Sequence, residues 1–131
     1  KITEVSKLVS TASGLPIPGN KPVIGHRVFQ IESGVVTDLY AKMGSLGIAP
    51  VMTPYLPELV GASSSEYVIG KGSGSATVRH FLAKNEVIAT DDEIEEILVL
   101  IKEESYRNKR LLTESEFLAA VANVRAKQAA P

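Results

Sequence analysis

The chain has 131 residues, of which 44% are hydrophobic and 22% charged, as expected for one soluble domain or a large part of one. Its net charge of -1 gives no reason to expect nucleic acid or an anionic membrane as partner. With no cysteine, disulfides, thiolate nucleophiles and cysteine-based zinc sites are excluded. No apolar run approaches the roughly 20 residues of a membrane span, and the start lacks a signal peptide's apolar stretch. We therefore expect a cytoplasmic protein, and the missing initiator methionine indicates a piece of a longer one.

The first sixty residues combine amphipathic segments with irregular stretches. The first apolar residues at helical spacing are Val5, Leu8, Val9 and Ala12. They predict a helix over residues 3–13, which Gly14 would end. Residues 15–25 hold three prolines and two glycines and predict an irregular connection. Because this half offers few residues for a core, it is expected to pack on a partner, and residues 15–60 are expected to self-associate or to form an extended, partly ordered arm.

A second helix is predicted for residues 34–43 and a loop for residues 44–54. The side chains expected to point inward from this helix are Val35, Leu39 and, less clearly, Val36. Further on, the alternation in residues 66–69 allows a short strand.

The second half has clearer helix signals. Residues 75–84 place Val78, Phe81 and Leu82 on one face. Capping boxes at 90–93 and 113–116 predict helices over 91–107 and 114–124, with fraying expected after Arg125. The inward residues of these two helices are expected to be Ile94, Ile97, Leu98, Ile101, Phe117, Leu118 and Val121. The fold class is therefore predicted to be mainly α with a short β segment, an α+β arrangement.

Candidate chemical groups are few. The two histidines, His26 and His80, lie 54 positions apart and outside the spacings typical of metal ligands, so no metal site is predicted. Lys71, Gly72, Ser73 and Gly74 precede a helix. They allow either an anion cradle, in which free N–H groups bind a phosphate or carboxylate, or a tight strand-to-helix turn.

Two further segments also have two interpretations. Tyr55 lies between prolines, where its ring could pack under the loop or its hydroxyl could be held towards a site. Glu32 and Ser33 precede the second predicted helix. They offer a carboxylate and a hydroxyl to a ligand, or Ser33 simply caps the helix.

Several collinear motifs resemble one enzyme family. Residues 4–18 resemble its "LS-LV…G…-P" segment, and residues 20–25, NKPVIG, match its "NKPIVG". Residues 29–38 fall where the family carries "F-HESGIH-D", and residues 57–61 and 68–74 correspond to "P-LVG" and "VLGKHSG". The family comprises the 2-isopropylmalate, homocitrate and citramalate synthases, which are metal-dependent TIM-barrel enzymes resembling HMG-CoA lyase.

The resemblance implies an origin for each part of the chain. Residues 1–50 would be the barrel-end helix and a connecting arm, and residues 51–131 a helical accessory subdomain, with the barrel itself absent. The longer enzyme would be a dimeric acyltransferase of amino-acid biosynthesis that joins acetyl-CoA or another acyl-CoA to a 2-keto acid, or a lyase that cleaves such a product. A divalent metal (Mg, Mn or Zn) would be held by absent barrel strands, so this portion would be inactive alone.

The resemblance also implies roles for individual residues. Tyr55 matches the family's catalytic tyrosine. Residues near substrate would be Glu32, Ser33, Lys71, Gly72, Ser73 and Gly74. Both histidines of "HESGIH" are replaced, by Ile31 and Val36, and valine cannot carry the proton of the family's catalytic histidine. This suggests a divergent branch. It also keeps open an alternative, a non-catalytic helical binding or regulatory module.

Overall fold

The computed structural model describes residues 1–47 and 53–128, with only the backbone of Gln128. The described residues form six helices and one two-stranded sheet, which confirms the mainly α class with a short β segment. In chain order the elements are α1 (Ile2–Ser13), β1 (Gln30–Ile31), α2 (Gly34–Ser45), α3 (Pro57–Val60), β2 (Glu66–Tyr67), α4 (Ser75–Lys84), α5 (Asp91–Asn108) and α6 (Glu114–Gln128).

The helix ends follow local sequence signals. The Glu93 N–H donates to Thr90 Oγ1 at 3.3 Å, and the Thr90 N–H donates to Glu93 Oε2 at 2.7 Å. The same reciprocal pair joins Thr113 and Glu116 at 3.3 and 2.8 Å. Both predicted capping boxes are confirmed, and each satisfies two N–H groups left free at a helix start. Gly14 ends α1 with φ 71°, a left-handed conformation that glycine adopts without steric cost.

The described chain divides into two compact units. Unit 1 comprises residues 1–31 and 42–66, and unit 2 comprises residues 32–41 and those from 67 onward. The division into a barrel-end arm (1–50) and an accessory subdomain (51–131) concerns the origin of the segments in a longer enzyme, so it stays a prediction.

Unit 2 contains a hydrophobic core. Most residues expected to point inward are buried, because α5 packs against both α4 and α6. Leu98 is half-buried, and Leu118 was wrongly expected inside, since 38% of it is exposed. The core consists of Ile69, Val78, Phe81, Leu82, Ile94, Ile97, Ile101, Leu112, Phe117, Val121 and Val124.

Unit 1 buries much less. The buried hydrophobic residues among its described positions are Phe29 and Val60. The predicted apolar stripe of α1 exists, but it lies open to solvent, with Leu8 69% exposed. The helix is attached locally, since Thr3 Oγ1 donates to the Val60 carbonyl at 2.8 Å.

Several expectations are corrected in the first part of the chain. Val35 and Leu39 were expected inside but are 80% and 39% exposed, while Thr37 takes the buried position on α2. The helix continues to Ser45 instead of ending at 43. The remainder of the loop predicted for residues 44–54 includes residues 48–52, which lie outside the described residues. Neither β1 nor the four-residue α3, which begins at Pro57, was predicted.

Other corrections fall later in the chain. The predicted strand over 66–69 is shorter, because Ile69 forms a separate antiparallel bridge with Leu112, whose N–H donates to the Ile69 carbonyl at 2.9 Å. Helix α6 continues past Arg125, whose guanidinium donates to the Ile88 carbonyl at 2.6 Å and ties this turn down. Within the described ranges, no helix is both long and apolar enough to cross a bilayer.

Candidate functional site

The glycine-rich turn at 70–74 is built from hydrogen bonds within unit 2. The Gly70 N–H donates to Ser73 Oγ at 2.9 Å, and the Ser73 N–H donates back to the Gly70 carbonyl at 3.1 Å. The Lys71 N–H donates to Ser105 Oγ at 3.1 Å, and this hydroxyl donates to the Arg110 carbonyl at 2.7 Å. Buried Ser73 and Ser105 therefore shape the turn from inside. Ser105 had no recognisable signal in the sequence.

The turn also holds a carboxylate of its own chain. Glu32 Oε1 accepts a hydrogen bond from the Gly72 N–H at 2.8 Å. The backbone N–H groups of Gly70, Lys71 and Gly72 all donate to acceptors within the chain. The turn is therefore tight, and the carboxylate that it binds is that of Glu32. The Lys71 side chain lies exposed, so it is the charged group of this segment that is open to an external ligand.

Two glycines bring the starts of α2 and α4 into backbone contact. A Cβ added to Gly74 would lie 3.0 Å from the Gly34 Cα, and a Cβ on Gly34 would collide with the Gly74 backbone. One turn further on, the buried hydroxyls of Thr37 and Thr77 lie 3.3 Å apart. Thr37 follows Gly34 by three positions and so lies on the same face of α2, which explains why Thr37 and not Val35 is buried.

The structure places each predicted site residue in one of the two units. Glu32 and residues 72–74 come together in unit 2, and Ser33 precedes α2 there with its side chain exposed and its carbonyl accepting from the Thr37 N–H at 2.8 Å. Tyr55 belongs to unit 1. Its half-buried ring packs edge-on against Phe29, with centroids 5.4 Å apart, a geometry typical of a packed aromatic pair. The roles of all these residues stay predictions.

No metal centre is formed within the ranges 1–47 and 53–128, since no three His, Asp or Glu side chains there are grouped to hold an ion. His26 is exposed in unit 1, and His80 is half-buried in unit 2. Val36 and Ile31, at the places of the family's histidines, are half-buried. The described residues therefore do not fit the divalent metal implied by the resemblance.

An aromatic cluster that the sequence did not predict lies in unit 2. The Tyr67 ring lies 4.2 Å from the His80 imidazole and 6.0 Å from the Tyr40 ring, centroid to centroid. Desolvation, followed by the nearby charge of Lys84, lowers the pKa of His80. Desolvation, followed by Tyr40, raises the pKa of Tyr67. Both shifts favour the uncharged forms.

No family model matches the chain. It is 35% identical to Methanopyrus kandleri CimA, assigned as an (R)-citramalate synthase, over 95% of this chain and 23% of that protein. It is 32% identical to homocitrate synthase 1 of a Nostoc species, over 99% of this chain and 33% of that protein. It is also 32% identical to a Geobacillus stearothermophilus 2-isopropylmalate synthase, over 92% of this chain and 22% of that enzyme.

Along 92–99% of its length the chain is homologous to 2-isopropylmalate, homocitrate and citramalate synthases, and it matches one part of each. It spans between about a fifth and a third of the length of these curated relatives.

Proposed function

We propose that this chain is the C-terminal accessory portion of a cytoplasmic enzyme that joins acetyl-CoA or a related acyl-CoA to a 2-keto acid, or cleaves such a product. We further propose that it is inactive alone. The observation that carries this proposal is the similarity along 92–99% of the chain to synthases of which it spans only 22–33%. The divalent metal of such an enzyme would be held by other segments, because the described residues do not fit it.

Tyr55 is the proposed catalytic residue of this portion. Its contact with Phe29 fixes the ring, and Pro54 restricts the backbone just before it. A phenol held in this way can donate a proton or orient an enolate at low entropic cost. Packing against Phe29 and a hydroxyl turned towards substrate are compatible, because the ring edge and the oxygen are different parts of the side chain.

The glycine turn is proposed to contribute a positive charge to substrate acids. The backbone N–H groups of Gly70, Lys71 and Gly72 are used within the chain, so the ammonium of Lys71 would make the contact with a carboxylate or phosphate. Glu32 would then act through the turn, by holding the Gly72 N–H, while Ser33 remains a candidate direct contact because it is exposed.

The exposed apolar face of α1 supports the proposal that this chain packs against a partner in a larger assembly. Hydroxyl groups of this helix donate to backbone carbonyls, Ser6 to Ile2 at 2.8 Å and Ser10 to Leu15 at 2.6 Å, so they add little polarity. The groove beside the helix has a volume of about 500 Å3. We propose that the enzyme's own barrel, or the second subunit of a homodimer, covers this face. The residues lining the groove include Ile2, Val5, Val9, Leu15, Ile17 and Ile24.

The proposal is tested by comparing this chain with the longer protein. CoA thiol release from acetyl-CoA should be measured with a series of 2-keto acids, with Mg, Mn or Zn added. We expect turnover by the longer protein and none by residues 1–131 alone. Turnover by the isolated chain would contradict the assignment of an accessory role.

Tyr55→Phe in the longer protein tests the catalytic assignment. General acid–base groups typically contribute about 10²–10⁴-fold in rate, and the loss is expected near the lower end because Val36 replaces the family's histidine partner. Phe retains the ring contact with Phe29, so folding should not change. Tyr106→Phe is the matched control, since that tyrosine is exposed. Equal turnover by wild type and Tyr55→Phe would return Tyr55 to a packing role.

A second candidate is a non-catalytic helical binding or regulatory module. The observation that favours it is Val36, which is half-buried on α2 and cannot transfer a proton. The two candidates differ in the longer protein: a module would show no CoA release with any 2-keto acid. It would still bind a small acid or another subunit, measurable by calorimetry with the keto-acid series.

A further inference from the structure

One titratable cluster of unit 2 lies outside the proposed catalytic contacts. The half-buried His80 of α4 stacks on Tyr67 at 4.2 Å with the rings tilted by 54°. Tyr40 of α2 completes this small cluster. Its ring lies edge-on to the Tyr67 ring, with centroids 6.0 Å apart and an interplanar angle of 87°. The imidazole therefore joins two elements, β2 directly and α2 through one intervening ring.

The charged and titratable groups around His80 disfavour its protonation. From its own helix, Lys84 lies one turn away and lowers the pKa of His80, after desolvation as the larger cause. Lys84 is paired with Glu114 of α6 at 2.8 Å, and its charge remains half-exposed to solvent. From β2 and α2 the facing groups are the phenol rings of Tyr67 and Tyr40.

We propose that His80 is a pH-sensitive latch, whose neutral imidazole holds Tyr67 and Tyr40 against α4 and whose protonation releases that contact. The opposite end of the α2–α4 contact consists of Gly34 on Gly74 and Thr37 on Thr77, which carry no ionisable group. Acidification would therefore loosen the packing around Tyr40 in the middle of α2 and leave the start of that helix in place.

Two opposing effects decide the direction of the response. An imidazolium over a tyrosine ring gains a cation–π attraction. Partial burial and the like charge of Lys84, four residues along the helix, oppose the charged form. Because the folded state lowers the pKa of His80, it binds fewer protons than the unfolded state. Stability should fall as pH drops below the ordinary histidine value of about 6.5, and level off below the folded-state value.

The test is a histidine titration by NMR on the 131-residue chain, combined with unfolding measured between pH 5 and 7.5. The His80 midpoint should lie below the usual value of about 6.5. The ring resonances of Tyr40 and Tyr67 should move with it, while those of exposed Tyr106 should not. The folded and unfolded chains have different titration midpoints for His80. Each pH unit of difference between these midpoints corresponds to a tenfold change in the unfolding equilibrium constant across the titration.

Matched variants separate the latch from other pH effects. His80→Phe keeps an aromatic ring but no proton site, so it should remove this part of the pH dependence, whereas His26→Gln should retain it. Lys84→Met keeps the stem and should raise the His80 midpoint, which remains measurable if His80→Phe folds poorly. A midpoint at or above about 6.5, or an unchanged pH dependence in His80→Phe, would overturn the proposal.

Discussion

The two units of this chain differ in how they are stabilised. Unit 2 has α4, α5 and α6 around a continuous apolar core, whereas the described part of unit 1 buries Phe29 and Val60 and exposes the apolar face of α1. A helix whose apolar stripe remains in water gains little from tertiary packing, which normally supplies most helical stability. The difference predicts that unit 2 is self-supporting, and we propose that unit 1 completes its packing against another surface.

The largest expected effect comes from emptying the core of unit 2. Phe117 is fully buried and packs on Phe81 with ring centroids 5.5 Å apart. Phe117→Ala should lower the free energy of unfolding by about 3–5 kcal/mol. Leu8→Ala, on the exposed stripe of α1, should change it by about 0.5 kcal/mol or less. Urea denaturation checks both variants, and similar losses would remove the contrast between the units.

A smaller loss is expected from separating the starts of α2 and α4. Gly34→Ala places a methyl group against the Gly74 backbone, and overpacking of this kind typically costs about 1–3 kcal/mol. Gly44→Ala is the matched control in the same helix, because nothing lies within 4 Å of its added Cβ. That control should be neutral or stabilising by up to about 1 kcal/mol, since alanine favours helix more than glycine does. Thermal unfolding of both variants checks the pair.

The next smaller loss of stability is expected from removing the hydrogen bond between Glu32 and the glycine-rich turn. Glu32→Ala removes the acceptor of the Gly72 N–H, and the partial exposure of this pair limits the expected loss to about 1 kcal/mol. Amide exchange should accelerate at Gly72. Glu58→Ala, an exposed carboxylate of unit 1, is the control and should leave that amide unchanged. An unaltered Gly72 exchange rate in Glu32→Ala would mean that the carboxylate does not hold the turn.

The smallest effect concerns the start of α6. Hydrogen bonds from Arg110, and then from the Thr113 backbone and hydroxyl, lower the pKa of Glu116 to about 2. A carboxylate with a lowered folded pKa contributes stability above its unfolded value, and loses it as pH falls from about 4.5 towards 2. Glu116→Gln should flatten the acid limb of a stability–pH profile in this window. Glu95→Gln, exposed on α5, should retain the wild-type profile.

The sequence predicted what is determined locally. The two capping boxes, the left-handed Gly14 and the buried faces of α4 and α5 were predicted because each depends on residues a few positions apart. The resemblance to known motifs also directed attention to residues 32–34 and 70–74. It did not show that these two segments contact each other, with the Glu32 carboxylate on the Gly72 N–H.

The errors have a common physical cause in contacts between distant segments. Val35 was expected inside because apolar side chains usually are, but the face of α2 that packs on α4 carries Gly34 and, three positions later, Thr37, and Val35 lies off that face. The link from Ser105 to Lys71 spans 34 positions. The stack of His80 on Tyr67 depends likewise on tertiary packing, so no local pattern could have indicated it.

The central claim, that unit 2 is self-supporting while α1 depends on a surface outside this chain, is tested most directly by hydrogen exchange. Amide protection should be compared between residues 1–131 alone and the longer protein. We expect the α5 amides to be protected in both, and the α1 amides to exchange rapidly in the isolated chain and slowly in the longer protein. Equal protection of α1 in the two samples would contradict the account.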